Sequence, residues 1–127
     1  MEIALTISKE SARAEICIFR DRSSPTGYKE YTLSVIWNGE EKMWTFPPSE
    51  VQYLFDAVRA ARISPYPVES VFMLDTLSYQ LTLGEGRNQH SYFWTPPCSN
   101  DWMALDEIKD MLIEFAQRYT GMAYYYY

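Results

Sequence analysis

Ile3, Leu5 and Ile7 alternate with Ala4 and Thr6. That is the two-residue period of a strand with one buried face. Ile16-Cys17-Ile18-Phe19 predicts a second strand, and Arg20 to Gly27, with Ser23, Ser24, Pro25 and Gly27, predicts a loop. The alternation is clearest where Tyr31, Leu33, Val35 and Trp37 interleave with Thr32, Ser34 and Ile36. Asn38-Gly39 follows, and this pair favours the two-residue hairpin turns that need positive φ. Met43-Trp44-Thr45-Phe46 is then the returning strand, ended by Pro47-Pro48. Later, Leu77, Tyr79, Leu81 and Leu83 alternate with Ser78, Gln80 and Thr82. Gly84-Glu85-Gly86 is read as a turn, and His90, Tyr92 and Trp94 alternate with Gln89, Ser91 and Phe93 on the way back to Pro96-Pro97.

Between and after these hairpins the period changes to that of a helix. Val51, Leu54, Phe55, Val58 and Ala61 predict an amphipathic helix over 49–62. Ser49-Glu50-Val51-Gln52 has the form of a capping box at its start, and Pro65 and Pro67 would stop it. A final helix opens with Ser99, Asn100 or Asp101 as its cap. It buries Trp102, Leu105, Ile108, Leu112, Phe115 and Tyr119, and stops at Gly121. Hairpin-linked strands imply an antiparallel sheet, and the polar alternate positions imply that one face meets water. The expected fold is α+β: about six antiparallel strands, in two or three hairpins, covered on one face by two amphipathic helices. Residues 1–121 are expected to form a single domain, with 122–127 as a tyrosine-rich tail.

Composition agrees with one packed domain: 127 residues, 47 % hydrophobic and 17 % aromatic, enough apolar surface for a real core. The first residues lack the basic start and long apolar run of a signal peptide, and no stretch approaches a bilayer span. The expectation is a cytoplasmic protein in which Cys17 and Cys98 are free thiols. The net charge is −6, and it is uneven. Residues 1–63 hold nine acids against eight bases, while residues 64–127 hold eight acids against three bases. An acidic second half disfavours direct contact with nucleic acid or an anionic membrane and favours a basic protein partner.

Chemistry-bearing motifs are scarce. There is one histidine, and the two cysteines have no metal spacing. Gly84-x-Gly86 joins two strands and opens no helix, so it does not fit a dinucleotide fingerprint. His90 shares a predicted strand face with Tyr92 and Trp94, with no nucleophile near it in sequence, and is read as a structural histidine at a sheet edge. Asp75, Glu85 and Asp101 near element ends could pair as glycosidase carboxylates. Trp37, Trp44, Trp94 and Trp102 could line a sugar groove, but they fall on the apolar alternation and read as packing. No catalytic residue, cofactor or metal is expected.

Two features remain. Asp106, Glu107, Asp110 and Glu114 fall on the exposed side of the last helix, where residues three and four apart are neighbours. Each like-charged pair costs about 0.2–0.5 kcal/mol. Asp101, Asp106 and Glu107 gain some of this back at the helix N-terminus, Glu114 does not, and Lys109 relieves only part of the repulsion. Tyr124, Tyr125, Tyr126 and Tyr127 end the chain, and tyrosines are favoured at interfaces.

Leu74-Asp75-Thr76-Leu77-Ser78-Tyr79-Gln80-Leu81-Thr82-Leu83, then Tyr92-Phe93-Trp94-x-Pro-Pro and a closing helix, resembles a set of small bacterial cytoplasmic α+β proteins. Some of these look like immunity proteins of polymorphic or secreted toxins. The resemblance covers roughly the last sixty residues and implies fold more than function. Together these features predict a non-enzymatic inhibitor that neutralises a basic toxin or nucleic-acid enzyme. Asp101, Asp106, Glu107, Asp110 and Glu114 would be its contact residues and Tyr124 to Tyr127 its secondary anchors. The alternatives are a homodimer held by the tyrosine tail and, further off, a small carboxylate-dependent hydrolase.

Overall fold

A computed structural model describes residues 2–9, 12–20, 30–37, 39–61, 77–85, 88–95 and 102–121. The strands are β1 (Glu2–Lys9), β2 (Ala12–Phe19), β3 (Tyr31–Trp37), β4 (Glu40–Phe46), β5 (Ser78–Glu85) and β6 (Asn88–Trp94). The helices are α1 (Gln52–Ala60) and α2 (Met103–Thr120). All six strands form one antiparallel sheet in the order β4-β3-β2-β1-β5-β6, the expected α+β arrangement. The predicted loop at 20–27 (apart from Arg20), the prolines at 65, 67, 96 and 97, the caps Ser99, Asn100 and Asp101, and the tail at 122–127 lie outside the described residues, as does Cys98.

The register aligns the predicted apolar positions into rows. Leu5 stands opposite Ile16 on one side and Leu81 on the other, and Ile16 stands opposite Val35. Ile3, Leu5, Ile7, Ile16, Ile18, Leu33 and Leu81 are all buried on the helix-covered side. Each such side chain contributes about 1.5–3 kcal/mol by leaving water.

α2 crosses the whole sheet. Its 18 residues span about 27 Å, and five strand-to-strand spacings come to about 24 Å. Trp102 meets Tyr92 and Trp94 of β6 at centroid distances of 5.7 and 6.3 Å. Midway, Lys109 sits over Tyr79 of β5. At the far end Phe115 meets Phe46 of β4 at 5.1 Å, and Tyr119 meets Trp44 at 6.3 Å. α1 runs antiparallel beside it. Tyr53 lies against Phe115, and Phe55 packs on Tyr31 at 5.0 Å. Contact with both the sheet and α1 widens the buried stripe of α2 beyond the expected residues to include Lys109, Ile113 and Ala116. Trp94 and Trp102 are buried, and Trp37 and Trp44 pack against the core, so all four serve as packing.

Local expectations fail at two places. The capping box does not form. Pro48–Glu50 make a 3-10 turn, α1 starts at Gln52, and Val51 occupies the N-cap position with no side-chain hydrogen bond. The apolar side chain of Val51 is fully buried, and this anchors the turn more strongly than a serine cap could. Gln52 bonds forward to Asp56 at 2.9 Å instead of back to Ser49, and Glu50 accepts a hydrogen bond from the Tyr119 hydroxyl. Gly84 is also not a turn residue. It lies inside β5, opposite Glu2 of β1 and Gln89 of β6. The turn at Gly39 is as expected, with β3 ending at Trp37, β4 starting at Glu40 and Gly39 at φ 81°. The outer sheet face is polar, but it is less wet than the alternation implied. Thr32, Ser34 and Ser78 are buried there, because small side chains on inner strands are shaded by neighbours on both sides.

Candidate protein-binding surface

α2 sorts its charges by angle. Glu107, Asp110 and Glu114 are exposed and Asp106 is half-buried, while Leu105, Ile108, Leu112 and Phe115 face the core. The structure therefore gathers four of the five acids expected to bind a partner on one helix side. The fifth, Asp101, and Tyr124 to Tyr127 lie outside the described residues.

The four acids are not equivalent. Lys109 is only 7 % exposed, and its ammonium donates to Asp106 at 3.0 Å and Asp110 at 2.9 Å. It also lies 4.4 Å from the centre of the Tyr79 ring, a cation–π contact. Burial pulls the ammonium's pKa down, but the hydrogen bonds it donates to Asp110 and Asp106 outweigh this and leave Lys109 above its ordinary value. The expectation that Lys109 relieves only part of the repulsion understated its role. It bridges the 106/110 pair and ties both carboxylates to the sheet. Arg118 lies 4.0 Å from Glu114 with both side chains exposed, a pairing of little energetic weight. Glu107 has no ion pair among the described residues.

Glu107 also lines a cleft of about 510 Å³ between the helices. Ala57, Ala60 and Ala61 of α1 form one wall, and Ala104, Ile108 and Met111 of α2 form the other. The alanines leave room where larger side chains would close the helix pair. Sequence reading missed this cleft and the burial of Lys109. The signal for the second was present: 105, 109, 112 and 116 follow the helical repeat of the core, so position 109 had to point inward.

His90 is exposed on edge strand β6, on the same face as Tyr92 and Trp94 and opposite Leu83. Glu85 ends β5, while Asp75 and Asp101 lie outside the described residues. Among the described residues no group of three or more His, Cys, Asp and Glu is placed to hold a metal, and no helix is long and apolar enough to cross a membrane. No family model, curated protein or solved structure matches this chain.

Two half-buried ionisable groups make the fold sensitive to alkali. Burial pushes the free Cys17 thiol up from 9.0 to about 11, with Glu2 and Glu15 adding to it. Burial, then the hydrogen bond to Glu50, pushes the Tyr119 hydroxyl up to about 12. Both groups hold their protons more tightly folded than unfolded. The stability they contribute is present below the unfolded values and is lost as pH rises through the folded ones. Urea midpoints should fall as pH rises above 9, and Cys17→Ser should shift the onset of that fall upward. A flat profile between pH 9 and 11 would contradict the placement of Cys17.

Proposed function

We propose that this chain is a non-enzymatic binding module, an immunity-type inhibitor that acts in the cytoplasm and neutralises a basic toxin or enzyme by covering it. One observation carries the reading. Asp110 and Glu114 stand on the exposed side of α2 with 65 % and 69 % of their side chains in solvent, and Glu107 beside them lines an apolar cleft. Charge that steers an encounter, set next to a pocket that can take an apolar anchor, is the usual arrangement of a protein-binding patch. The resemblance of the second half to immunity-type proteins agrees with it. On this reading a basic side chain of the partner reaches Glu107 and Glu114 while an apolar neighbour enters between Ala57 and Met111.

The test reverses charges without disturbing the core. Asp106 and Asp110 are left alone, because reversing either would strand buried Lys109. The pair Glu107→Lys and Glu114→Lys should slow association with the partner purified from the native host by about tenfold or more and flatten its salt dependence. The urea midpoint should move little, since both positions are exposed. An association rate equal to that of the unchanged protein removes this face from the interface.

A further inference from the structure

The two edges of the sheet are built differently. β4 carries Glu40, Glu41 and Lys42 in succession, the kind of charge run that guards an open edge against pairing with another chain. β6, at the opposite edge, reads Asn88-Gln89-His90-Ser91-Tyr92-Phe93-Trp94. It has seven residues with no Asp, Glu, Lys, Arg or Pro among them. Asn88, Gln89, His90, Ser91 and Phe93 are exposed. Among the described residues no strand pairs with its outer side, and natural sheets seldom leave an edge of that length unguarded unless something pairs with it.

We propose that β6 pairs antiparallel with β6 of a second copy of this chain, joining the two sheets edge to edge. The strand is self-complementary about Ser91. A two-fold axis there sets Ser91 opposite Ser91, His90 opposite Tyr92, and Gln89 opposite Phe93. No charged side chain meets a like charge, and every pair keeps to one face of the joined sheet. The apolar surface near this edge fits the same occupant. Phe93 is 40 % exposed on the outer face, and Trp102 packs on Tyr92 and Trp94, so the start of α2 stands over the edge with Met103 53 % exposed. An isologous contact of this kind closes at two copies, whereas β6 on β4 would run on into a filament. An edge seven residues long is small for an interface, so the dimer is weak and forms as concentration rises. This contact does not involve the acidic side of α2 and stands or falls apart from the inhibitor reading.

The test is sedimentation of the full chain over a concentration series to the sub-millimolar range, with hydrogen exchange on the same samples. A monomer–dimer equilibrium is expected, and the amides of β6 should gain protection as the dimer forms. Ser91→Lys sets two ammonium groups face to face at the axis and should weaken the dimer by about tenfold or more. Thr45→Lys on the β4 edge and a chain ending at Gly121 should both dimerise like the parent. Any of several results overturns the proposal: a monomer throughout, a filament, a dimer unmoved by Ser91→Lys, or a dimer lost with the tyrosine tail. The exchange measurement needs no variant, so a misfolded Ser91→Lys would leave the test intact. Equal β6 protection in dilute and concentrated samples of the parent would itself refute the pairing.

Discussion

Phe115→Ala should destabilise the fold by about 3–5 kcal/mol and lower its melting temperature by roughly 10–20 °C. Phe115 is 1 % exposed and stands where three elements converge. Its ring meets Phe46 of β4 at 5.1 Å, Tyr119 of α2 at 5.3 Å and Tyr53 of α1 at 6.5 Å. Removing it opens a void that neither the sheet nor the helix pair can close, since each is held elsewhere along α2. The loss therefore includes the cavity as well as the transfer free energy. Met103→Ala on the same helix is the control. Met103 is 53 % exposed, and its loss should change stability by no more than about 0.5 kcal/mol. Urea midpoints for the two variants decide the matter. Equal, small effects would mean that α2 does not pack across β4 as described.

Gly84→Ala is the second large effect, and it is unusual for so small a change. A Cβ at Gly84 would lie 2.3 Å from the carbonyl oxygen of Asn88 and 2.6 Å from the Cα of Gln89. Both are backbone atoms of the paired strand, so no rotamer change can make room. Gln89 crosses this gap to donate to Glu2 at 3.2 Å, which links β6 across β5 to β1. The end of the β5–β6 hairpin must open to admit the methyl group, at a cost of about 2–3 kcal/mol. Gly39→Ala makes the contrast. Nothing lies within 4 Å of its Cβ position, and the cost is only that of φ 81° for a residue with a side chain, about 1 kcal/mol. Gly84→Ala should therefore be the more harmful, with faster amide exchange confined to β5 and β6. The reverse order would show that the two strands are not so closely apposed.

The two glycines also mark how far the chain could be read in advance. Gly39 is legible because a two-residue hairpin turn is a local object, decided by neighbouring residues. Gly121 is legible for the same reason. It takes φ 68° at the end of α2 and donates its amide to Gln117 at 2.8 Å. Gly84 looks like a turn glycine in the sequence. Its role comes from β1 and β6, which approach it from opposite sides. Ser49 fails for a related reason. A capping box is a local pattern, and the burial of Val51 against the core overrides it.

Much of the candidate surface was visible too. Asp106, Glu107, Asp110 and Glu114 share a side of α2 because the helical repeat puts them there. The repeat could not show that Lys109 would settle over Tyr79, thirty residues back along the chain, and so draw Asp106 and Asp110 into a structural role. Nor could it show that the alanines of α1 would face Ala104 and Met111 and leave a cleft beside Glu107.

By itself the sequence determined six strands, two helices, the buried face of each and the turn between β3 and β4, because those follow from periodicity and residue chemistry within a few positions. Only the tertiary structure decided that β5 would pair with β1, making β4 and β6 the edges, and that Phe115, Lys109 and Gly84 would be critical. The physical reason is that pairing between distant strands, burial of a charge and close approach of two backbones are properties of neighbours brought together by folding, and such neighbours leave no mark at fixed spacing along the chain.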